Sequence, residues 1–113
     1  MRLEMRRVIL FTPNLGIMAD FYRTVIGLEL ATSEDGWREF KAGSCNIALH
    51  HGAASIGNRP PKLVFYASDV AAARAMLVKR GANGMGKVLS AENFDMCNGK
   101  DPDGNPFQIS SRK

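Results

Sequence analysis

The chain has 113 residues, 45% of them hydrophobic, and a formal net charge of +4 at neutral pH. This length indicates one domain with a modest core, and this apolar content excludes intrinsic disorder. No apolar run is long enough to span a bilayer, and residues 1–7 are not followed by the apolar region of a secretory signal. We therefore expect a cytoplasmic protein with no membrane partner.

Neither the charge nor the cysteines indicate a nucleic-acid or metal-finger function. Residues 1–56 hold six basic and six acidic side chains, whereas residues 57–113 hold nine basic and five acidic ones. The excess in the second half is spread out, without the basic stripe of a nucleic-acid surface. Cys45 and Cys97 form neither a disulfide framework nor a zinc-finger spacing, so we expect reduced, mostly buried thiols.

The first half of the chain predicts a strand, a helix and three further strands. Residues 7–12 are strand formers that Pro13 ends. Asn14 is placed to cap a helix, and Gly27 fits the position just past its end. The apolar stripe of this helix consists of Leu15, Met18, Phe21, Tyr22 and Val25. The following strands are expected at residues 28–33, 37–41 and 46–51.

The second half repeats this pattern after a linker at residues 53–61. Arg7 and Lys62 differ by 55 positions, as do Asn14 and Asp69. Asp69 is predicted to cap the second helix, and Gly81 to end it. The strands of this half are expected at residues 62–67, 88–91, 94–99 and 105–110.

The repeat predicts an α+β fold of two βαβββ modules, residues 1–52 and 62–113, within a single domain of residues 1–113. One such module alone has too small a core to fold well. Side by side, the two would form an open, curled mixed sheet (an incomplete barrel) with both helices on its outer face. The other face would form a trough that can hold a ligand.

A tight turn near the end of the chain leads directly into the last strand. Pro102 and Gly104 suit the turn Asp101-Pro102-Asp103-Gly104, since proline presets φ and glycine accepts a positive φ. In the strand that follows, Gln108 stands between two apolar residues. By strand alternation it faces away from the core, towards the trough.

The same alternation selects the candidate ligand-binding residues. They combine two cations, an amide, a carboxylate, an imidazole and two aromatic rings, as small-molecule sites often do. They are Arg7, Trp37, Glu39, His50, Lys62, Tyr66 and Gln108.

Each candidate also has a purely structural alternative. Arg7 and Lys62 either capture an anionic ligand or are neutralised by Glu39 or Glu92. His50 is either an acid–base or metal-binding group or a surface histidine. The rings of Trp37 and Tyr66 either stack on a planar ligand or pack in the core or in a dimer.

Several of these features together resemble a known group of proteins. The segments Val8-Ile9-Leu10-Phe11, Phe21-Tyr22 and Gly27-Leu28, with the 101–104 turn, are similar to those of the vicinal oxygen chelate superfamily. That superfamily includes glyoxalases, bleomycin resistance proteins and extradiol dioxygenases. The resemblance implies paired βαβββ modules around an open trough, often in a homodimer.

The resemblance also implies where metal ligands would stand. In metal-using members, histidine or glutamate occupies four strand positions. In this chain they fall on Arg7, Ala48, Lys62 and Gln108. Two are cations, one has no donor atom and one offers a neutral amide, so we expect no metal and no cofactor.

The sequence thus predicts a metal-independent small-molecule-binding protein of the glyoxalase/bleomycin resistance type, with an anionic or aromatic ligand in the trough. One alternative is a lyase, isomerase or dioxygenase-type enzyme, with a displaced metal site or a metal-free acid/base site near His50 and Glu39. The other alternative is a dimerisation module whose trough is filled by side chains.

Overall fold

The computed structural model describes all residues, 1–113. The chain divides into two compact units, Met1–Ser55 and Ile56–Lys113. Neither helix is long and apolar enough to cross a membrane.

The first unit is a four-stranded mixed sheet with one helix. Strand β1 (Arg7–Thr12) is followed by helix α1 (Leu15–Asp20), which continues as a π-helical segment (Phe21–Ile26). Strands β2 (Glu29–Glu34), β3 (Trp37–Lys41) and β4 (Asn46–His51) complete the unit. The strand order is β1-β4-β3-β2, with β1 parallel to β4 and the other neighbours antiparallel.

The helix of the first unit begins and ends at the predicted residues. It starts directly after Asn14, but the Asn14 side chain makes no capping hydrogen bond, and the Asn14 amide donates instead to Thr12 Oγ1. Gly27 ends the π-helical segment with φ +89°, a conformation that glycine adopts without strain. The helical stripe packs on the sheet, since Met18 and Tyr22 are fully buried.

The second unit repeats the architecture. It contains β5 (Leu63–Tyr66), α2 (Val70–Lys79), β6 (Leu89–Ser90), β7 (Asp95–Lys100) and β8 (Pro106–Ser110). The strand order is β5-β8-β7-β6, with β5 parallel to β8. The order matches that of the first unit strand for strand, so the predicted α+β fold of two βαβββ modules is confirmed.

Local chemistry sets the limits of α2 as predicted. The Asp69 carboxylate accepts a hydrogen bond from the Ala72 amide at 2.9 Å, which satisfies a donor of the first turn. Gly81 follows the helix with φ +110°. Val70 and Leu77 are buried on the helix side of the unit, together with Cys97 of β7.

Both cysteines are free, and burial raises the pKa of the Cys97 thiol.

The turn between β7 and β8 is organised by one carboxylate. Asp101 Oδ1 accepts from the amides of Asp103 (3.0 Å) and Asn105 (2.9 Å), and Oδ2 accepts from Asn105 Nδ2 (2.8 Å). Gly104 takes φ +93°. After the turn, Phe107 and Ile109 are buried and Gln108 is half-buried. The predicted orientation of Gln108, away from the core, is thus observed.

Candidate functional site

Each sheet has one face packed against its helix and one face that points away from it, here called the helix-distal face. In β1 the burial alternates, with Arg7, Ile9 and Phe11 exposed and the residues between them half-buried. Strand register places Glu39 and Ala48 on the same face as Ile9, and Trp37 and His50 on the same face as Phe11. The first unit thus brings together four of the predicted site residues, Arg7, Trp37, Glu39 and His50.

A hydrogen-bonded ion pair lies on this face. Arg7 Nε donates to both carboxylate oxygens of Glu39, at 3.1 and 3.0 Å. Asn46 Nδ2 donates to Glu39 Oε2 at 2.8 Å. Glu39 is 6% exposed, so its charge is both buried and compensated. Of the two alternatives for Arg7, neutralisation by Glu39 is therefore the one observed.

These contacts lower the pKa of Glu39 below its ordinary value of 4.5. The largest cause is the hydrogen bond from Asn46. Burial opposes it, and the hydrogen bond and charge of Arg7 lower the pKa further. A carboxylate held in its ionised form is a weak base at neutral pH, which weighs against Glu39 as a general base.

The lowered pKa predicts a stability that depends on pH. Because the folded pKa lies below the unfolded one of about 4.5, Glu39 stabilises the fold above that pH, and this contribution is lost as the pH falls through the folded pKa. Urea unfolding of wild type and Glu39→Gln should therefore show a stability difference that is constant above about pH 5 and shrinks at lower pH. A difference that grows on acidification would contradict this linkage.

Three rings form a row across neighbouring strands of the first unit. Phe11 of β1 pairs with His50 of β4, which pairs with Trp37 of β3. The ring centroids of Phe11 and His50 are 5.4 Å apart, and those of Trp37 and His50 are 5.7 Å apart. Phe11 is 50% exposed, so the row presents aromatic surface rather than a closed core. We call Phe11, His50 and Trp37 the aromatic row.

The second unit holds the other three predicted site residues, Lys62, Tyr66 and Gln108. Lys62 Nζ and Gln108 Nε2 both donate to Asn98 Oδ1 at 3.1 Å, and Gln108 Nε2 also contacts Met96 Sδ at 3.3 Å. The observed partner of Lys62 is thus a neutral amide, and the alternative of neutralisation by Glu39 or Glu92 is not observed. Tyr66 is 55% exposed.

The four positions at which the resemblance places metal ligands do not form a ligand set in this chain. Arg7 is paired with Glu39, and Lys62 and Gln108 donate hydrogen bonds rather than accept them. Ala48 has no donor atom and is fully buried. No three His, Cys, Asp or Glu side chains stand close enough to hold a metal ion within either unit. The residues present therefore do not fit a divalent metal at these positions.

Sequence reasoning did not find the two asparagines that organise the polar groups. Asn46 holds Glu39, and Asn98 receives both Lys62 and Gln108. Asn98 lies directly opposite Gln108 in the β7–β8 pair, and this position indicates that their side chains can meet. The strand register is known only from the structure. The contact of Asn46 with Glu39 depends on how the two side chains meet, which strand alternation does not determine.

Comparisons with known proteins agree on one fold. A family model described as "Glyoxalase-like domain" matches residues 7–110. No curated protein sequence matches the chain. A glyoxalase/bleomycin resistance protein/dioxygenase from Nocardioides is similar in structure, with a TM-score of 0.76 and 18% identity over 97% of this chain and 83% of that one.

Two further solved structures are similar to the same extent. Lactoylglutathione lyase from Agrobacterium tumefaciens has a TM-score of 0.77 and 20% identity, covering 96% of this chain and 93% of its own. TnmS3, an antibiotic binding protein from Streptomyces sp. CB03234, has a TM-score of 0.77 and 20% identity over 96% of this chain and 94% of its own. At such identities these likenesses show the fold alone.

Proposed function

The chain belongs to the glyoxalase-like domain family, and from this premise we propose that it binds a small planar molecule without the help of a metal ion. The binding surface is the helix-distal face of the first unit. The observation that carries the proposal is the aromatic row of Phe11, His50 and Trp37, in which Phe11 and His50 are exposed and Trp37 is half-buried. The family assignment agrees with the resemblance to the vicinal oxygen chelate superfamily.

The aromatic row supports a flat ligand because exposed rings offer apolar area at a small entropic cost. Phe11 and the neighbouring Ile9 are 50% and 42% exposed. Rings prefer offset or edge-to-face contact, and each such pair contributes about 0.5–1.5 kcal/mol beyond the area it buries. A planar ligand on the row would make contacts of this kind with up to three rings.

The ion pair beside the row supports a polar contact for the ligand rather than capture of an anion. Glu39 already compensates the charge of Arg7. However, both hydrogen bonds to Glu39 come from Nε, and the Arg7 side chain is 41% exposed. The terminal guanidinium nitrogens can therefore donate to an oxygen on the ligand, which would orient it on the row.

The donor chemistry at the four positions supports metal independence. A divalent cation near Lys62 would be repelled, the guanidinium of Arg7 has no lone pair to offer, and neither Ala48 nor Gln108 supplies a carboxylate or imidazole. The fold itself does not decide between binding and catalysis, since similar structures include a lyase and an antibiotic binding protein. A homodimer and a cytoplasmic location remain predictions from the sequence.

The test uses Trp37, the only tryptophan of the chain, as reporter. Titration with 2-naphthol and 2-naphthoate, a neutral and an anionic ring system of the same size, should change Trp37 fluorescence saturably. Phe11→Ala and His50→Ala should each weaken binding several-fold, in line with about 0.5–1.5 kcal/mol per lost ring contact. EDTA should leave the affinity unchanged.

Phe94→Leu is the matched control, because Phe94 lies in the second unit, where its ring contacts Arg112. It should bind both naphthalenes as wild type does. Equal affinity in the Phe11, His50 and Phe94 variants would refute the aromatic row as the site. Loss of binding in EDTA with recovery on adding zinc would refute metal independence.

A further inference from the structure

The second unit contains a cleft that the proposed function does not use. Its volume is about 370 Å³. One wall is the segment of residues 56–60, and the other contains Gly104, the last residue of the 101–104 turn, and Pro106, the first residue of β8. Lys62 lies directly before β5, and Lys100 is the last residue of β7.

Three cations line this cleft, and no acidic side chain does. They are Arg59, Lys62 and Lys100, which come from three separate segments of the unit. The ion pairs Arg7–Glu39 and Lys41–Glu29 involve none of the three. The contact of Lys62 Nζ is with the neutral Asn98 Oδ1. Positive charges gathered around one cleft repel each other, and a bound anion would relieve this repulsion.

The carboxylate closest in sequence to Lys100, that of Asp101, points into its own turn and not into the cleft. Asp101 follows Lys100 but is 4% exposed, and its oxygens accept hydrogen bonds from Asp103 and Asn105 inside the turn. It does not line the cleft. Neither carboxylate of the turn, Asp101 nor Asp103, lines the cleft, whereas the preceding Lys100 does.

The backbone around the cleft is constrained before any ligand binds. Pro60 and Pro61 fix φ next to Arg59, which lowers the conformational freedom of the segment. A Cβ on Gly104 would stand 3.7 Å from Ile56 Cδ1, so the two walls approach closely there. A site that is already ordered costs less entropy to fill.

We propose that this cleft binds the phosphate or carboxylate group of a small molecule through Arg59, Lys62 and Lys100. The guanidinium of Arg59 can form a two-pronged contact with an oxyanion, and the two ammonium groups act as point charges. The volume is at the lower end of the roughly 300–1,000 Å³ of ligand pockets, so it accepts more than the anionic group alone. Apolar atoms of Ile56, Pro60 and Pro106 would contact the rest of the ligand.

The probe is inorganic phosphate, with acetate in a parallel titration, both at an ionic strength held constant with sodium chloride. Amide chemical shifts of Gly57 and Gly104 in the ¹⁵N-labelled protein report on the two walls. Phosphate should produce saturable shifts at both glycines. Arg59→Ala and Lys100→Ala should each weaken phosphate binding at least fivefold and together abolish saturation. Stronger binding of acetate than of phosphate would assign the cleft to carboxylates.

Lys113→Ala is the matched control, since it also removes one lysine charge. Pro106, which lines the cleft, begins β8, whereas Lys113 follows the other end of that strand. It should bind phosphate as wild type does. An equal loss in Lys113→Ala, or shifts that follow ionic strength alone, would overturn the proposal. Spectra of each variant without phosphate check the fold.

The cleft and the aromatic row are tested separately. Lys100→Ala should leave the Trp37 response to 2-naphthol unchanged, and Phe11→Ala should leave the phosphate titration unchanged. Failure of naphthalene binding alone would remove the proposed function, and failure of phosphate binding alone would remove the anion cleft.

Discussion

Asp101→Ala is expected to lower the free energy of unfolding by about 3 kcal/mol, the largest effect among the substitutions considered. Three donors lose their acceptor: the amides of Asp103 and Asn105, and Asn105 Nδ2. Hydrogen bonds to a charged group contribute about 1.5–3 kcal/mol each, and water reaching the turn offsets part of their loss. Urea unfolding followed by far-UV circular dichroism measures the change.

Asp101→Asn is the matched control, because its side-chain oxygen can still accept from the two backbone amides. Only the contact with Asn105 Nδ2 and the negative charge are lost. We expect a destabilisation of about half that of the alanine variant. An alanine variant within 0.5 kcal/mol of wild type would show that the carboxylate does not organise the turn.

Gly99→Ala is expected to destabilise the fold by about 2 kcal/mol through overpacking. A Cβ at this position would stand 2.5 Å from Met85 Sδ and 2.6 Å from Phe107 Cζ. The Met85 side chain can move, but Phe107 is fully buried and lies directly across the β7–β8 pair from Gly99. The clash outweighs the gain of about 0.5–1 kcal/mol that alanine has over glycine within a strand.

Gly16→Ala provides the control of opposite sign. Gly16 lies in α1, where an added Cβ would meet nothing within 4 Å. The same substitution should therefore stabilise the protein, by up to about 1 kcal/mol. If both alanine variants changed stability in the same direction, contact with Phe107 would not explain the effect at Gly99.

The elements could be predicted because their signals are local. Pro13, Gly27, Asp69 and Gly81 mark strand and helix ends through backbone chemistry that needs no tertiary contact. Observed strand boundaries differ from the predicted ones by at most one residue, as at β5, which spans Leu63–Tyr66. The π-helical segment Phe21–Ile26 was not predicted, since its apolar stripe is compatible with an ordinary helix.

The candidate site was predicted only in part, because alternation assigns faces and not partners. It placed Arg7 and Glu39 on one face, but left open whether Arg7 was paired. The 3.0 Å contact between Arg7 Nε and Glu39 Oε2 decides that question. The cleft with Arg59 and Lys100 was not predicted. Arg59 lies in the predicted linker and Lys100 directly after a predicted strand, so strand alternation gave no reason to place the two side chains together.

By itself, the sequence determined the two βαβββ modules, the residues on each sheet face and the poor metal-ligand chemistry of Arg7, Ala48, Lys62 and Gln108. The modules and faces follow from periodicity and capping, which are local patterns of the sequence. The metal-ligand chemistry follows from the functional group of each side chain, which does not depend on the fold. The tertiary structure alone decided that Glu39 is held by Arg7 and Asn46, and that three cations surround one cleft. Such contacts join residues distant in sequence, and their geometry depends on strand register and on the path of the linker.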